Sequence, residues 1–341
     1  MITDAKDVFF NRINELYQRK TPFFFLTDYH GRQMEVSSLE ELKAESGEGA
    51  PDRPRISFQS PGLHFPADTL DNHRTATPDR PLKWQKKPIT YEAYKCSFDI
   101  VSEGLQKGNS YLVNLTCSTG VQTNYSLAEL YELGQGKYKL LYGDQFVHFS
   151  PEPFIRIDQD QISSFPMKGT LEENELTTLN DLLLSEKEIA EQFTIVDLIR
   201  NDLHQVASNV KVESFRYIEK IKTNQKNLFT VSSHITGTLR PEYKDRPGDI
   251  LKAMLPAGSI TGAPKAATMQ IIQAAETHNR NYYTGVWGYY NGEYIDSCVI
   301  IRYLENTEQG LIFKSGGGIT SLSDPLLEYQ EMQSKVYVPL P

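Results

Sequence analysis

Residues 138–165 read YKLLYGDQFVHFSPEPFIRIDQDQISSF, and this stretch decides the fold class. It contains consecutive short runs rich in aromatic and β-branched residues, separated by turn-forming Gly, Pro and Asp, which is the pattern of successive strands. The predicted strands cover 138–142, 146–149, 154–158 and 161–165. Because no helix-length segment separates them, we expect neighbouring strands to form an antiparallel sheet.

Strand and helix patterns of the same kind continue on both sides of this stretch. Further strands are predicted at 23–29, 111–118, 210–215, 228–239, 285–290, 294–303 and 310–315. Apolar residues spaced three or four apart predict helices over 8–17, 90–105, 185–202 and 265–276. A last helix is expected to begin after Asp324, with Pro325 in its first turn. Strands in runs, without strict βαβ alternation, indicate an α+β architecture with large antiparallel sheets.

Residues 37–90 differ from the rest of the chain. They contain several prolines and many charges with little periodicity, so we predict an irregular connection there. The sequence is accordingly divided into a short N-terminal region, residues 1–89, packed on a main domain, residues 90–341.

Composition limits the possible functions. The chain has 341 residues, a formal net charge of −9 and 39% hydrophobic residues, which is typical of a globular protein. An acidic chain without a basic run is not expected to bind nucleic acid. It has no apolar window of about 18 residues, so no membrane span is expected, and charges near the N-terminus argue against a signal peptide. Cys96, Cys117 and Cys298 are widely spaced, are expected to be core thiols and suit a reducing cytoplasm.

Two pairs of carboxylates lie at helical spacing. Glu188 and Glu191 are three residues apart on one predicted helix, and Glu328 and Glu331 repeat that spacing on the last helix. Glutamates on two facing helices can hold a hard cation such as Mg²⁺. Solvated helix faces with ion pairs show the same spacing, so both interpretations stay open.

Three other segments contain residues suited to binding or catalysis. Residues 315–320, SGGGIT, can expose backbone amides to an anion or form a plain turn. Residues 258–265, GSITGAPK, resemble a phosphate-binding loop, but Lys265 does not follow Gly262 directly, which argues against nucleotide binding. Lys168 ends a predicted strand, where it is either a surface charge or, if buried, a nucleophilic amine.

The segments described above, together with further blocks of the sequence, resemble the chorismate-utilising enzymes. This family includes anthranilate synthase large subunit, isochorismate synthase, salicylate synthase and aminodeoxychorismate synthase component I. The resemblance spans roughly residues 90–337. It implies a sandwich of large antiparallel sheets with helices outside. The matching blocks are NSYLVNLT (109–116), SPE (150–152), PMKGT (166–170), EIAEQFTIVDLIRNDL (188–203), PAGSITGAPK (256–265), YTGVWGY (283–289), IR (301–302), GGGI (316–319) and EYQE (328–331).

The residue before Gly169-Thr170 separates subgroups of this family. Anthranilate synthases carry Ala there, whereas aminodeoxychorismate synthases commonly carry Lys, and this chain has Lys168. The resemblance to the latter subgroup implies an aminotransferase-class enzyme that makes 4-amino-4-deoxychorismate from chorismate and ammonia, a step towards para-aminobenzoate and folate. It implies that Lys168 is the nucleophile and Glu152 the general acid.

The resemblance also implies ligands for the substrate and for a cofactor, Mg²⁺. Glu191 and Glu331 match direct magnesium ligands, supported by Glu188 and Glu328. Arg302 matches the residue that holds the enolpyruvyl carboxylate. Other implied substrate contacts are Gly169, Thr170, Thr261, Tyr283, Gly316, Gly318 and Lys335. Since no glutaminase nucleophile motif is found, ammonia is expected from solution or from a separate glutamine amidotransferase subunit, aminodeoxychorismate synthase component II.

Two positions depart from the family pattern. Leu112 replaces the usual Gln, where isochorismate synthases carry the lysine that activates water, which argues against hydroxyl transfer. Phe229 replaces a histidine associated with pyruvate elimination, which weakens a lyase interpretation; His234, five residues on, is expected to be a sheet histidine and no substitute. The N-terminal region has no Leu-Leu-Glu-Ser segment of the tryptophan-sensing kind, so feedback by tryptophan is not expected. The alternatives are an anthranilate or aminodeoxyisochorismate synthase, and a non-catalytic chorismate-binding homologue.

Overall fold

The computed structural model describes residues 5–45, 54–66, 80–172, 186–222 and 227–340. Its α-helices are α1 (Ala5–Gln18), α2 (Leu39–Glu45), α3 (Tyr91–Gln106), α4 (Leu127–Leu133), α5 (Glu186–His204), α6 (Pro247–Met254), α7 (Lys265–Ala275) and α8 (Pro325–Ser334). Short 3-10 turns cover Pro241–Tyr243 and Gly258–Ile260.

The strands form two sheets in which every pairing between described strands is antiparallel. They are β1 (Phe23–Thr27), β2 (Met34–Ser38), β3 (Ile56–Gln59), β4 (His64–Phe65), β5 (Trp84–Lys87), β6 (Leu112–Thr123), β7 (Tyr138–Tyr142), β8 (Phe146–Ser150), β9 (Pro153–Asp158), β10 (Gln161–Ser164), β11 (Met167–Glu172), β12 (Ala207–Lys222), β13 (Asn227–Leu239), β14 (Gly262–Ala263), β15 (Val286–Tyr290), β16 (Tyr294–Val299), β17 (Tyr303–Thr307) and β18 (Gly310–Ile319). The first sheet has the order β11-β13-β10-β9-β16-β15-β1-β2 with β12 on β13, and the second has β14-β6-β18-β17-β8-β7-β3-β4 with β5 on β6.

The two sheets pack face to face around an aromatic core. Phe24 and Trp287 of the first sheet contact Phe58 of the second, with ring centroids 5.1 and 5.3 Å from Phe58. Helices α1, α5 and α6 cover the other face of the first sheet, and α3, α7 and α8 pack against the second. The predicted α+β sandwich with outer helices is therefore confirmed.

Residues 37–90 contain more regular structure than the sequence predicts. The structure places α2, β3, β4 and β5 there, so the prediction of an irregular connection is wrong for these segments. These elements are short, and β5 exposes most of its residues, so none carries a hydrophobic period long enough to recognise. The predicted strand 23–29 is found as β1, which is fully buried and pairs with β15. The division at residue 90 stays a prediction.

The predicted strand 294–303 is two strands in the structure. β16 belongs to the first sheet and β17 to the second, so residues 300–302 cross between the sheets. Arg302 has φ 53°, in the left-handed region, and this turns the chain out of the first ladder. A second crossover, residues 151–152, joins β8 to β9. The chain therefore changes sheet twice in this part of the fold.

Two further observations concern the general properties of the chain. No helix among the described residues is long and apolar enough to cross a membrane. The thiols of Cys117 and Cys298 are buried, whereas Cys96 is exposed on α3. The expectation of a core thiol is thus wrong for Cys96, which points away from the buried stripe of its helix.

Candidate active site

The two crossovers lie side by side and carry two of the sequence-predicted site residues. The Val299 N–H donates to the Glu152 carbonyl at 3.1 Å, and the Phe149 N–H donates to the Arg302 carbonyl at 3.2 Å. The hydroxyl of Ser150 accepts from the Glu152 N–H at 3.1 Å. Glu152 and Arg302 are therefore held on adjacent backbone segments between the sheets.

Glu152 directly precedes β9, and Lys168 lies on β11 of the same sheet. In the β9–β10 pair, Asp158 lies opposite Gln161 and Arg156 opposite Ser163. β10 and β11 both pair with β13, with Ser164 opposite Ile235 and Met167 opposite Ser232. Glu152, just before β9, and Lys168, on β11, therefore belong to one sheet, and their closeness stays a prediction. The side chain of Lys168 lies outside the described part of the structure.

Gly316 and Gly318 lie at an uncovered edge of β18. They stand opposite Thr116 and Asn114 of β6. The N–H groups of Thr116 and Asn114 are used by Glu276 and by the Thr261 carbonyl, so both cross-strand pairs are of the non-hydrogen-bonded type.

Consequently the N–H and C=O groups of Gly316 and Gly318 point to the other edge of β18. On that side β17 begins only at Tyr303, opposite Lys314. This edge of β18 beyond Lys314 has no partner among the described strands. We call it the glycine edge, after Gly316 and Gly318. Backbone N–H groups presented in this way can receive an anionic ligand.

Two cationic side chains lie near this edge. Lys335 donates from Nζ to the Gly316 carbonyl at 3.0 Å and is 2.8 Å from Oε1 of Glu331. Arg302, half-buried, immediately precedes β17, and its guanidinium carbon lies 4.9 Å from the centre of the Tyr337 ring. The structure thus brings Lys335 to Gly316 and places Arg302 at the start of the strand that leaves this edge open.

Thr261 and Tyr283 are enclosed. The Thr261 hydroxyl donates to the Ala257 carbonyl at 2.8 Å, and the residue has 0% exposure, so this hydroxyl fixes its own turn. The Tyr283 ring is 6.0 Å from that of Tyr303, and burial raises the pKa of its phenol well above the ordinary value. Thr261 is joined to β6 through its carbonyl, which accepts from the N–H of Asn114, the residue opposite Gly318.

The acidic residues are only partly described. Glu328 is buried and accepts from the Ser323 hydroxyl at 2.7 Å, Glu331 is exposed, and Glu191 is half-buried on α5. Within the described ranges no three His, Cys, Asp or Glu residues form a metal-binding group. The oxygen-only donor set nevertheless suits Mg²⁺. The side chains of Glu188 and Thr170 lie outside the described residues, and Gly169 falls in the register shift of β11.

The sequence analysis missed a buried arginine behind the site. Arg280, at 2% exposure, donates from Nε and Nη2 to both carboxylate oxygens of Glu276, at 2.9 and 2.8 Å. The other donors reach the Ile260 carbonyl, the Thr284 hydroxyl and the Asn114 carbonyl, at 3.0, 3.2 and 2.6 Å. All five guanidinium N–H groups are used. The spacing of Glu276 and Arg280, four apart, was the available signal.

A second buried group, also missed, ties α5 to the strands. Gln192, at 0% exposure, donates from Nε2 to the Ser233 hydroxyl at 2.8 Å and to the Pro166 carbonyl at 3.4 Å. The Ser233 N–H also donates to Pro166, at 3.0 Å. The helix that carries Glu191 is thereby joined to the segment just before Lys168.

The other positions singled out in the sequence contact the residues around them as follows. Lys265 pairs with the buried Asp202 at 2.9 Å, so it joins α5 to the 258–265 loop, in line with the argument against a nucleotide loop. Leu112 is buried opposite Ala263. The backbone of Phe229 pairs with Leu171, and its side chain is outside the described residues. The ring of His234 stacks on Phe165 at 4.5 Å, and burial lowers its pKa.

Comparison with known proteins defines the class to which this fold and site belong. The family model described as chorismate binding enzyme matches residues 19–341. This chain belongs to that family of chorismate-binding enzymes.

Three individual proteins illustrate what this chain is similar to. The chain is 44% identical over 332 residues to an uncharacterized PabA-like protein of Pasteurella multocida, covering 97% of this chain and 98% of the relative. It is 31% identical over 306 residues to aminodeoxychorismate synthase component 1 of Salmonella typhimurium, covering 82% and 64%. In fold it is similar to a putative 2,3-dihydroxybenzoate-specific isochorismate synthase of Bacillus anthracis, with 18% identity, a TM-score of 0.66 and coverage of 97% and 87%.

Proposed function

We propose that this chain makes 4-amino-4-deoxychorismate from chorismate and ammonia, as an aminodeoxychorismate synthase component I does. The observation that carries the proposal is a lysine at position 168, on strand β11 of the sheet that the chain enters directly after Glu152. The product would feed para-aminobenzoate and folate synthesis.

The proposed chemistry divides one difficult substitution into two steps. The neutral amine of Lys168 attacks C2 of chorismate, both ring double bonds shift, and the C4 hydroxyl leaves as water after taking a proton from Glu152. Ammonia then attacks C4, and both double bonds shift back as the lysine nitrogen leaves with its electron pair. The proton that ammonia loses returns to the Glu152 carboxylate or to water.

The glycine edge supplies a place for the substrate carboxylates. Arg302 offers a planar pair of donors that suits a carboxylate, and the N–H groups of Gly316 and Gly318 point to the same open edge. Lys335 adds a positive charge at Gly316. Gly169, Thr170, Thr261 and Tyr283 complete the proposed contacts.

Magnesium is the proposed cofactor. Glu191 and Glu331 would hold it directly, with Glu188 and Glu328 in support; the first pair of positions, 188 and 191, lies on α5, and the second, 328 and 331, on α8. When bound, Mg²⁺ would offset the charge of the ring carboxylate. Without that neutralisation, the four carboxylates would repel a dianionic substrate.

The proposed partner is a glutamine amidotransferase subunit that supplies ammonia. The cysteines of this chain are either buried, as Cys117 and Cys298 are, or placed on an exposed helix face, as Cys96 is. None belongs to the Gly-x-Cys-x-Gly motif of a glutaminase nucleophile. A cytoplasmic location remains part of the proposal.

A product assay tests the function. The chain is incubated with chorismate, Mg²⁺ and ammonium, and the lyase that forms para-aminobenzoate is then added. We expect para-aminobenzoate from the wild-type chain and none from Lys168→Ala, whereas Lys211→Ala, on an exposed stretch of β12, serves as the matched control. Anthranilate and pyruvate as products would select the lyase alternative. Unchanged chorismate would select a non-catalytic binding protein.

A further inference from the structure

Hydrogen bonds join three polar side chains, those of Glu276, Thr116 and His278, next to β6. Oε1 of Glu276 accepts from the Thr116 N–H at 2.9 Å and from the Thr116 hydroxyl at 2.7 Å. Nε2 of His278 lies 3.1 Å from that same hydroxyl oxygen. Glu276 is the C-cap of α7 and His278 is two residues further on, so both approach β6 from the end of one helix.

The hydrogen bonds assign the tautomer of His278. The Thr116 hydroxyl has one hydrogen, which it gives to Glu276, so its oxygen accepts from His278 and Nε2 carries the N–H. Burial lowers the pKa of His278 to about 4, so the ring is neutral near neutral pH. A neutral imidazole carries one N–H, which leaves Nδ1 as a bare acceptor.

Each charged group near the His278 ring is paired with a group of opposite charge. Arg280 donates to both carboxylate oxygens of Glu276, which orients that carboxylate toward Thr116. Lys314 Nζ pairs with Glu305 at 2.6 Å and also donates to the Arg280 carbonyl at 3.0 Å. The charged groups that face His278 are thus two paired carboxylates and two paired cations, namely Glu276, Glu305, Arg280 and Lys314.

The hydroxyl that contacts the His278 ring belongs to Thr116, a residue of the second sheet that lies opposite Gly316. Val113, Leu115 and Cys117 pack against the helices, so Thr116, which alternates with them along β6, points to the opposite face. Its cross-strand partner Gly316 has no side chain on that face. Within the described residues no hydrogen bond to Nδ1 of His278 is found, and the residue is half-buried, so Nδ1 keeps an acceptor site for a ligand.

We propose that Nδ1 of His278 accepts a hydrogen bond from a neutral donor among the reactants, either an N–H of ammonia or the hydroxyl of the chorismate ring. The proposal rests on the proposed function and adds a residue to its site. Accepting an N–H holds the ammonia molecule in one orientation, so its lone pair can be directed at the ring carbon. No bond is made or broken at His278.

A matched pair of variants separates this role from a structural one. In His278→Gln the side-chain amide can reach the Nε2 position and keep the Thr116 contact, while the Nδ1 acceptor is lost. In His278→Asn the amide oxygen replaces Nδ1, while the Thr116 contact is lost. We expect the Gln variant to lose about tenfold, the worth of one hydrogen bond in a site, and the Asn variant to stay closer to wild type. A Gln variant at least as active as the Asn variant overturns the proposal.

The two possible donors give different losses in the Gln variant. If ammonia is the donor, kcat/KM for ammonium falls and the Kd for chorismate is unchanged; if the ring hydroxyl is the donor, the Kd for chorismate rises. Nitrogen NMR of labelled histidine tests the geometry without any turnover. A hydrogen on Nε2 near neutral pH is expected, and a hydrogen on Nδ1 overturns the proposal. Failure of the proposed function is recognised separately, as wild-type chain that leaves chorismate unchanged.

Discussion

Arg280 and Glu276 form a two-pronged ion pair in the interior, with Nη2 and Nε of the guanidinium 2.8 and 2.9 Å from the two carboxylate oxygens. The pair joins the end of α7 to β6 and to the turn before Thr261, through the Asn114 and Ile260 carbonyls. It therefore fixes the part of β6 that lies opposite Gly318. Loss of this pair should affect the stability of the whole sandwich.

Arg280→Met should lower the free energy of unfolding by about 3–5 kcal/mol, because it leaves the buried Glu276 carboxylate without its cation. Arg280→Lys keeps the positive charge but loses the planar pair of donors to the two carboxylate oxygens. It should therefore lower the free energy of unfolding by less than Arg280→Met does. Denaturant unfolding measures both. Arg200→Met, which breaks the exposed pair with Asp197, is the control and should cost less than about 1 kcal/mol. Equal losses at positions 280 and 200 would contradict the assignment.

The prediction about stability and pH concerns His148, which is enclosed between the sheets and accepts a hydrogen bond from the Trp287 indole. Burial lowers the pKa of His148 to about 3, from an ordinary value of 6.5. Below pH 6.5 the unfolded chain binds a proton that the folded chain does not, so stability is present above that pH and is lost as the pH falls towards 3.

His148→Gln keeps an acceptor for Trp287 and cannot be protonated. Its free energy of unfolding should therefore fall less steeply in acid, by about 1.4 kcal/mol per pH unit. Urea unfolding at a series of acidic pH values measures the slope. Gln85→Asn, on the exposed strand β5, changes no titratable group, so it is the control and should keep the wild-type slope. An unchanged slope in His148→Gln would show that another group takes up the proton.

Much of the sandwich could be predicted from the sequence, because its long strands are rich in apolar and β-branched residues. The chain crossings could not, since 294–303 is one continuous strand pattern and only the left-handed φ of Arg302 divides it. The candidate site comes from motifs in the sequence, those of Lys168 and of Gly316 and Gly318, and stays a prediction. The spacing of Glu276 and Arg280 gives a signal, but it also fits an exposed ion pair; the burial of Arg280 depends on carbonyls remote in sequence, such as those of Asn114 and Ile260, which leave no pattern.

Substituting the neighbouring glycines of β18 should give opposite results. A Cβ at Gly316 would lie 2.6 Å from the Leu115 carbonyl oxygen, so Gly316→Ala forces the backbone apart and should cost about 1–3 kcal/mol. A Cβ at Gly317 would come no closer than 3.5 Å to Glu328 and 3.7 Å to Lys335, which is ordinary contact. Gly317→Ala should therefore keep wild-type stability in thermal unfolding. A less stable Gly317→Ala than Gly316→Ala would reject the packing described for this edge.

The final prediction concerns the proposed magnesium ligands. Glu191→Gln and Glu331→Gln each remove one negative charge, so the Mg²⁺ concentration needed for half-maximal stabilisation, measured as a rise in Tm with chorismate present, should increase by about tenfold or more. Glu331→Gln also removes the partner of Lys335, so its apo Tm is measured first. Glu103→Gln, which breaks an exposed pair with Lys107 on α3, should respond to Mg²⁺ as the wild type does. If Glu191→Gln and Glu331→Gln also titrate as the wild type does, the cation is bound elsewhere.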